Sequence, residues 1–219
     1  MDIAALIQTI LISALPIIFA ITIHEAAHGY AARHFGDPTA WQLGRITANP
    51  LKHIDPVGTI LVPALILLLS TGNFLFGWAK PVPVNFGRLR HPKRDMLWVA
   101  AAGPAANFAM LLFWATLMKL AILLPANFFA VPLARMAEIG MVINVALMVL
   151  NLLPLPPLDG GRIAVSLLPS RAALHFAQLE RFGFPILLLL LFTGILGKLL
   201  LPVMGLVMGL VFFIFQFSA

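Results

Sequence analysis

The chain has 219 residues, of which 61% are hydrophobic and only 10% are charged, and its mean hydropathy is +1.01. Charged residues normally make up about a quarter of a globular chain, so this composition excludes an ordinary soluble domain. Cysteine is absent, which excludes disulfides and thiolate metal ligands. The net charge of +6 comes from basic residues beside apolar segments, a distribution that sets membrane orientation and argues against nucleic-acid binding.

Long apolar runs recur along the chain, at residues 3–23, 96–118, 139–153 and 183–217. A membrane-spanning helix needs about 20 apolar residues, so the pattern predicts an all-α polytopic membrane protein with about five transmembrane helices. The first run is not a convincing signal peptide, because Asp2 rather than a basic residue precedes it and it continues into the histidines without a good cleavage site.

The first predicted helix covers about residues 3–34 and carries the sequence HEAAHG near its end. His24 and His28 are four residues apart, so both imidazoles lie on one helix face, one turn apart. Two imidazoles leave a zinc ion with open positions, and Glu25 can accept a proton from an attacking water, so the motif predicts a zinc hydrolase. A single buried histidine is more often a packed residue, but three ionisable groups in a membrane-length helix favour a functional site.

The chain changes character after this helix. Apolar and polar residues roughly alternate over Trp41–Pro56, between glycines and prolines, which predicts short strands or a hairpin. We expect His53 and Asp55 to shape this loop or line the mouth of the site rather than to contact the metal. The apolar run over Thr59–Ser70 is short and contains Pro63, so it is as consistent with a re-entrant segment as with a spanning one. Two prolines then enforce an extended backbone within the basic loop at Gly77–Asp95.

Two further helices carry the remaining polar motifs. The helix predicted at about 96–123 contains a GPAAN sequence, whose small residues permit close packing and whose last residue, Asn107, can bond to a neighbouring helix. The helix predicted at about 133–153 leads into NLLPLPPLDGGR at 151–162. The prolines and glycines leave backbone N–H and C=O groups there without helical hydrogen bonds. Such groups are tolerated at membrane depth only inside protein or beside a water-filled cavity. Asp159 in that setting is a natural third zinc ligand.

The C-terminal region contributes packing rather than chemistry. Residues 183–217 are long enough for two short helices that break near Gly197–Pro202, and they contain no acidic residue. We therefore expect one membrane-embedded domain over 1–219, with a catalytic core at about 1–170 and a helical hairpin at about 182–217.

The number of crossings constrains the topology. Asp159 can meet His24 and His28 only if an odd number of crossings separates the first helix from the helix at 133–153. The helix at 96–123 supplies one, so 59–76 should not cross. The positive-inside rule then makes the active-site side cytoplasmic and the N-terminus external, because the basic residues cluster on that side: Arg33, Arg45, Lys52, Lys80, Arg88, Arg90, Lys93, Arg94, Arg162, Arg171 and Arg181.

Four motifs carry a family resemblance. HEAAHG at 24–29, GPAAN at 103–107 and NLLPLPPLDGGR at 151–162 resemble the site-2 proteases, which are intramembrane zinc metalloproteases. FGWAKPVPVN at 76–85 resembles an extended segment of many prokaryotic members. The chain is similar to the compact prokaryotic type, since no PDZ insertion and no nucleotide-sensing domain is evident.

The resemblance implies roles for five residues. It implies that His24, His28 and Asp159 bind one Zn²⁺ ion, that Glu25 is the catalytic base, and that Asn151 lies near the bound substrate. It also implies a membrane-associated β-structure after the first helix, which offers an edge to an extended substrate.

The expected function is therefore zinc-dependent hydrolysis of peptide bonds in membrane-spanning substrates, near the cytoplasmic face of a prokaryotic cell membrane. The partners are a transmembrane protein or peptide and the lipid bilayer. One alternative is a catalytically inactive relative that binds membrane proteins, which the presence of Glu25 disfavours. The other is a metal-ion transporter, which would need polar residues on both sides of the metal, whereas the helix before Thr22 is apolar.

Overall fold

A computed structural model describes residues 3–62, 65, 80–125 and 129–217 of the chain. The described residues form α-helices and short turns of 3₁₀- and π-helix and contain no strand, which confirms the predicted all-α fold. The α-helices are, in chain order, α1 (Ile3–His34), α2 (Thr39–Gln42), α3 (Pro92–Leu123), α4 (Ala130–Asn151), α5 (Asp159–Leu167), α6 (Ser170–Ala177), α7 (Glu180–Phe192) and α8 (Ile195–Phe215).

Four of these helices are long and apolar enough to cross a membrane: α1 from Leu11 onwards, α3, α4 and α8. The pair α6 and α7, bent by 59° at its break, would make a fifth span. The prediction of about five transmembrane helices is thus confirmed. Helix α3 is central, because it packs against α1, α4, α5 and α8. The main apolar core lies between α3, α4 and α8, around the buried residues Leu111, Trp114, Met141, Val145 and Val211.

The prediction of strands or a hairpin over Trp41–Pro56 is wrong. The described chain forms the short helix α2 and a 3₁₀-helix over Pro50–His53 instead. Side-chain oxygens accept hydrogen bonds from backbone N–H groups two residues on, which turns the chain locally: Asp37 Oδ1 from Thr39 at 3.0 Å, and Asn49 Oδ1 from Leu51 at 3.0 Å. Such turns compete with strand pairing.

His53 and Asp55 shape this loop, as expected. The His53 ring is buried and its Nε2 lies 3.0 Å from the carbonyl oxygen of Thr47. Asp55 Oδ1 accepts hydrogen bonds from the backbone N–H groups of Val57 and Gly58, at the start of a π-helix over Pro56–Leu61.

The C-terminal hairpin breaks earlier than predicted. Helix α7 ends at Phe192 and α8 begins at Ile195, so the expected break near Gly197–Pro202 is wrong. Gly194 adopts a φ of 72°, a left-handed conformation that glycine reaches without strain, and the chain turns there. Pro202 is accommodated inside α8, as prolines often are in membrane helices.

The predicted re-entrant segment at 59–76 lies mostly outside the described residues. Its two flanks meet, because the backbone N–H of Lys80 donates to the carbonyl oxygen of His53 at 2.9 Å. A second bond joins the end of α1 to the approach to α3, from Arg90 N–H to Phe35 O at 3.0 Å. The chain therefore leaves and returns at one end of α1, next to the HEAAHG motif.

Candidate active site

Three potential metal ligands converge from two distant parts of the chain. The Nε2 atoms of His24 and His28, both on α1, lie 3.1 Å apart. Asp159, the first residue of α5, places Oδ2 at 3.3 Å from His24 Nε2 and Oδ1 at 3.3 Å from His28 Nε2. The three potential ligand atoms all lie within 4.8 Å of one another, so this group could hold a metal ion.

Glycines let the surrounding backbone approach these ligands. A Cβ atom at Gly103 on α3 would lie only 2.5 Å from His28 Nε2 and 2.6 Å from His24 Cε1. A Cβ atom at Gly160, next to Asp159, would overlap the backbone carbonyls of Leu152 and Leu153. The small residues of the GPAAN and LDGG sequences therefore serve the site as well as helix packing.

Hydrogen bonds to the outer ring nitrogens fix both imidazoles. His28 Nδ1 lies 2.8 Å from the carbonyl oxygen of Val99, and His24 Nδ1 lies 2.6 Å from Asn107 Oδ1. With their Nδ1 atoms engaged in this way, both rings direct Nε2 toward Asp159. Outer hydrogen bonds of this kind orient histidines that bind metals.

The donor set fits zinc. Two imidazoles and one carboxylate are a common protein ligand set of catalytic zinc, which keeps a fourth position open. Asp159 Oδ2 is buried and has no hydrogen-bond partner among the described residues, so a cation would satisfy it. A zinc ion requires the ionised form of this side chain, as it requires the neutral form of both imidazoles.

A cavity of about 350 Å³ opens beside the three ligands, and Glu25 and Asn151 both contribute to its wall. Glu25 Oε2 accepts a hydrogen bond from the backbone N–H of Val82 at 2.7 Å. Asn151 Nδ2 donates to the carbonyl oxygen of Leu147, one turn earlier on α4, at 3.0 Å. The structure therefore brings all five predicted site residues to one cavity.

Sequence reasoning missed two contributions to this cavity. Residues 81–84, predicted to be extended but given no role in the site, form part of the wall and provide the N–H group that holds Glu25. Arg162 also lines the cavity; its guanidinium lies 4.8 Å from the centre of the Phe86 ring and 3.7 Å from Glu180 Oε1. The alternating prolines at 81 and 83 were the sequence signal for the extended wall.

Comparison with known proteins gives a consistent answer. The model of peptidase family M50 matches residues 122–194. YwhC of Bacillus subtilis, named as a candidate zinc metalloprotease, is 38% identical over 192 residues, which are 86% of this chain and 84% of YwhC. The chain belongs to peptidase family M50, the site-2 protease family.

Two mycobacterial relatives, both called Rip2 and also named as candidate zinc metalloproteases, are less similar to this chain than YwhC is. The protein of Mycolicibacterium smegmatis is 32% identical over 83% of this chain and 66% of its own length. That of Mycobacterium tuberculosis H37Rv is 28% identical over 90% of this chain and 70% of its own length. No solved structure matches the chain. As an M50 member with membrane-length helices, the protein is an integral membrane zinc metalloprotease.

Proposed function

We propose that this M50 protease is an intramembrane endopeptidase that hydrolyses peptide bonds in membrane-spanning substrates near the cytoplasmic face. One observation carries the proposal: His24, His28 and Asp159 converge beside a cavity that also contains Glu25, at the far end of a membrane-length helix. At 1.5 Å per residue, His24 lies roughly 30 Å along α1, near one face of the hydrocarbon core.

Each site residue has a distinct proposed role. His24, His28 and Asp159 hold one zinc ion. When bound, zinc polarises a scissile carbonyl and lowers the pKa of the attacking water. Glu25 accepts the proton of that water and passes it to the leaving amine. Asn151 donates an amide N–H to the developing oxyanion or to the substrate backbone; its NH2 group has two donors, of which Leu147 O accepts one.

A transmembrane substrate has to unwind before it is cut, because helical hydrogen bonds hide its peptide groups. The extended wall at 81–84 is suited to lie along such an unwound segment. Two of its residues are prolines, which cannot donate a hydrogen bond, so the backbone here is held open rather than folded into a helix. Pairing between extended segments is a common way to bind an unfolded peptide.

The orientation follows from charge. Basic residues flank the site end of the helices, at Arg33, Arg88, Arg90 and Arg94. The positive-inside rule makes that end cytoplasmic and the N-terminus external. We also propose that residues 1–219 act as one membrane-embedded domain, with α7 and α8 as its C-terminal hairpin.

A reconstituted cleavage assay tests this function. The purified protein in detergent is incubated with single-span membrane proteins, after chelation and again after zinc is restored. We expect cleavage only with zinc. Asp159→Asn should lower both zinc content and cleavage, because an amide is a poor zinc ligand. Normal zinc occupancy and normal turnover in that variant would sink the assignment of Asp159. Cleavage of soluble peptides alone would overturn the proposal that the substrate spans the membrane.

A further inference from the structure

Two buried polar side chains follow one another beyond His24, and they lie outside the lining of the cavity. Asn107 of α3 and Asn144 of α4 are both fully buried, at 0% exposure, and neither lines the cavity. Burying an amide between apolar helices costs free energy unless its groups are hydrogen-bonded. Both amides form hydrogen bonds. The direction of these bonds decides which ring nitrogen of His24 carries the hydrogen.

Two backbone carbonyls set that direction, since a carbonyl oxygen can only accept. Asn144 Nδ2 donates to Gly140 O at 2.8 Å, so the Oδ1 of Asn144 faces Asn107. Asn107 Nδ2 donates to this Oδ1 at 2.9 Å and to Ala20 O at 3.2 Å. Flipping the Asn107 amide would set its oxygen against two acceptors, so its Oδ1 must face His24 Nδ1, at 2.6 Å.

An acceptor at Nδ1 requires the hydrogen of His24 to sit there. A neutral imidazole protonated on Nδ1 carries its lone pair on Nε2. Nε2 is the atom that faces His28 and Asp159. His28 gains the same arrangement directly from the backbone oxygen of Val99, so only His24 depends on side chains of other helices.

We propose that Asn107 and Asn144 are positioning residues for the metal site, which fix His24 as the tautomer that presents its Nε2 lone pair to zinc. This rests on the ligand set proposed above. The same burial argues against a transport path through this region, because both amides are sealed from solvent and consumed by internal hydrogen bonds.

The two residues should contribute unequally. Replacing Asn107 with leucine leaves His24 Nδ1–H without an acceptor, and losing such an outer partner typically weakens metal binding by roughly 10- to 100-fold. Replacing Asn144 with leucine should weaken zinc binding less, because Ala20 O still orients the Asn107 amide. Leu111→Ala is the matched control: Leu111 lies one turn further along α3, is equally buried, and packs in the apolar core, which contains none of the proposed metal ligands.

The test is a chelator-competition titration of zinc on the full chain in detergent. We expect affinity to fall in the order wild type, Asn144→Leu, Asn107→Leu, with Leu111→Ala at wild-type affinity despite a lower Tm. Wild-type affinity in Asn107→Leu, or an equal loss in Leu111→Ala, would overturn the proposal. His24→Ala separates the two levels of inference. If it loses zinc while Asn107→Leu does not, only the positioning proposal fails; if it keeps zinc, the ligand set itself is wrong.

A second readout needs no substitution at the asparagines. Nitrogen NMR of labelled histidine, with His24 assigned by the His24→Ala spectrum, reports which ring nitrogen carries the hydrogen. We expect a protonated Nδ1 on His24 in the wild-type protein. A hydrogen on Nε2 before zinc is added would refute the proposal even if Asn107→Leu does not fold.

Discussion

Gly103 controls how closely α3 approaches the two histidines. A methyl group there would lie 2.5 to 2.6 Å from atoms of both rings, well inside van der Waals contact. We predict that Gly103→Ala shifts His24 and His28, lowers zinc content, and reduces cleavage by roughly 100-fold, since a displacement of about 1 Å can cost that factor. Zinc content and initial cleavage rate measure the effect.

Gly205→Ala in α8 is the control for this substitution. A Cβ atom at Gly205 meets nothing within 4 Å, so the change should leave zinc and activity intact. It should stabilise the helix slightly, because alanine is favoured over glycine by about 1 kcal/mol in a helix interior. A fully active Gly103→Ala protein would show that the histidines are not confined by α3.

At the scale of single residues, the sequence pointed to five residues that the structure brings to one cavity, because candidate metal ligands follow from residue type and spacing. Helical spacing places His24 and His28 on one face, and the proline-rich turn singles out Asp159. The hydrogen bond from Val82 to Glu25, and the one from His24 to Asn107, could not be predicted. Both depend on how distant segments pack, which spacing along the chain does not encode.

At the scale of elements, Gly183 joins the C-terminal hairpin to the ligand-bearing turn. A Cβ atom there would overlap the carbonyl oxygen of Pro156 and lie 2.6 Å from Pro157 Cδ, close to Asp159 in sequence. We predict that Gly183→Ala costs about 1–3 kcal/mol of stability, as overpacking does, and lowers zinc affinity by displacing Asp159. Thermal unfolding in detergent and zinc titration measure the two effects.

Gly197→Ala, in the neighbouring helix α8, is the matched control for Gly183→Ala. A Cβ atom at Gly197 meets nothing within 4 Å, so both stability and zinc affinity should stay at or above wild type. Equal behaviour of the two variants would mean that the hairpin does not support the metal site.

Long elements were easier to predict than short ones. The bounds of α1 match the expectation, because its apolar run is long and a Gly-Asp-Pro turn at 36–38 follows the helix. The strand prediction over Trp41–Pro56 failed because alternation of polar and apolar residues also arises in a chain of side-chain-capped turns. The break in the hairpin was misplaced because Pro202 marks no break in a membrane helix, whereas Gly194 does.

At the scale of the whole molecule, we predict that the segment between His53 and Lys80 does not cross the membrane. Its ends are hydrogen-bonded to each other, so it makes either no crossing or two. It is shorter than the roughly 40 residues that two crossings need. Single cysteines at positions 52, 90 and 93, in a chain without native cysteine, should all react with an impermeant thiol reagent from the cytoplasmic side of oriented vesicles.

Other labelling patterns would contradict the proposed topology or orientation. If position 52 reacts from one side and positions 90 and 93 from the other, the segment spans and the topology is wrong. Reaction of all three from the external side would still mean that the segment does not cross, but it would invert the proposed orientation.

The central claim is that Glu25 acts as the base beside a zinc ion held by His24, His28 and Asp159. Measuring zinc content and cleavage on the same preparations of wild type and Glu25→Gln tests it most directly, because glutamine keeps the shape of the side chain but cannot accept the proton. We predict about one zinc per chain in both proteins and cleavage in the wild type alone. Wild-type cleavage by Glu25→Gln, or loss of zinc together with activity, would contradict the assignment of Glu25 as the base.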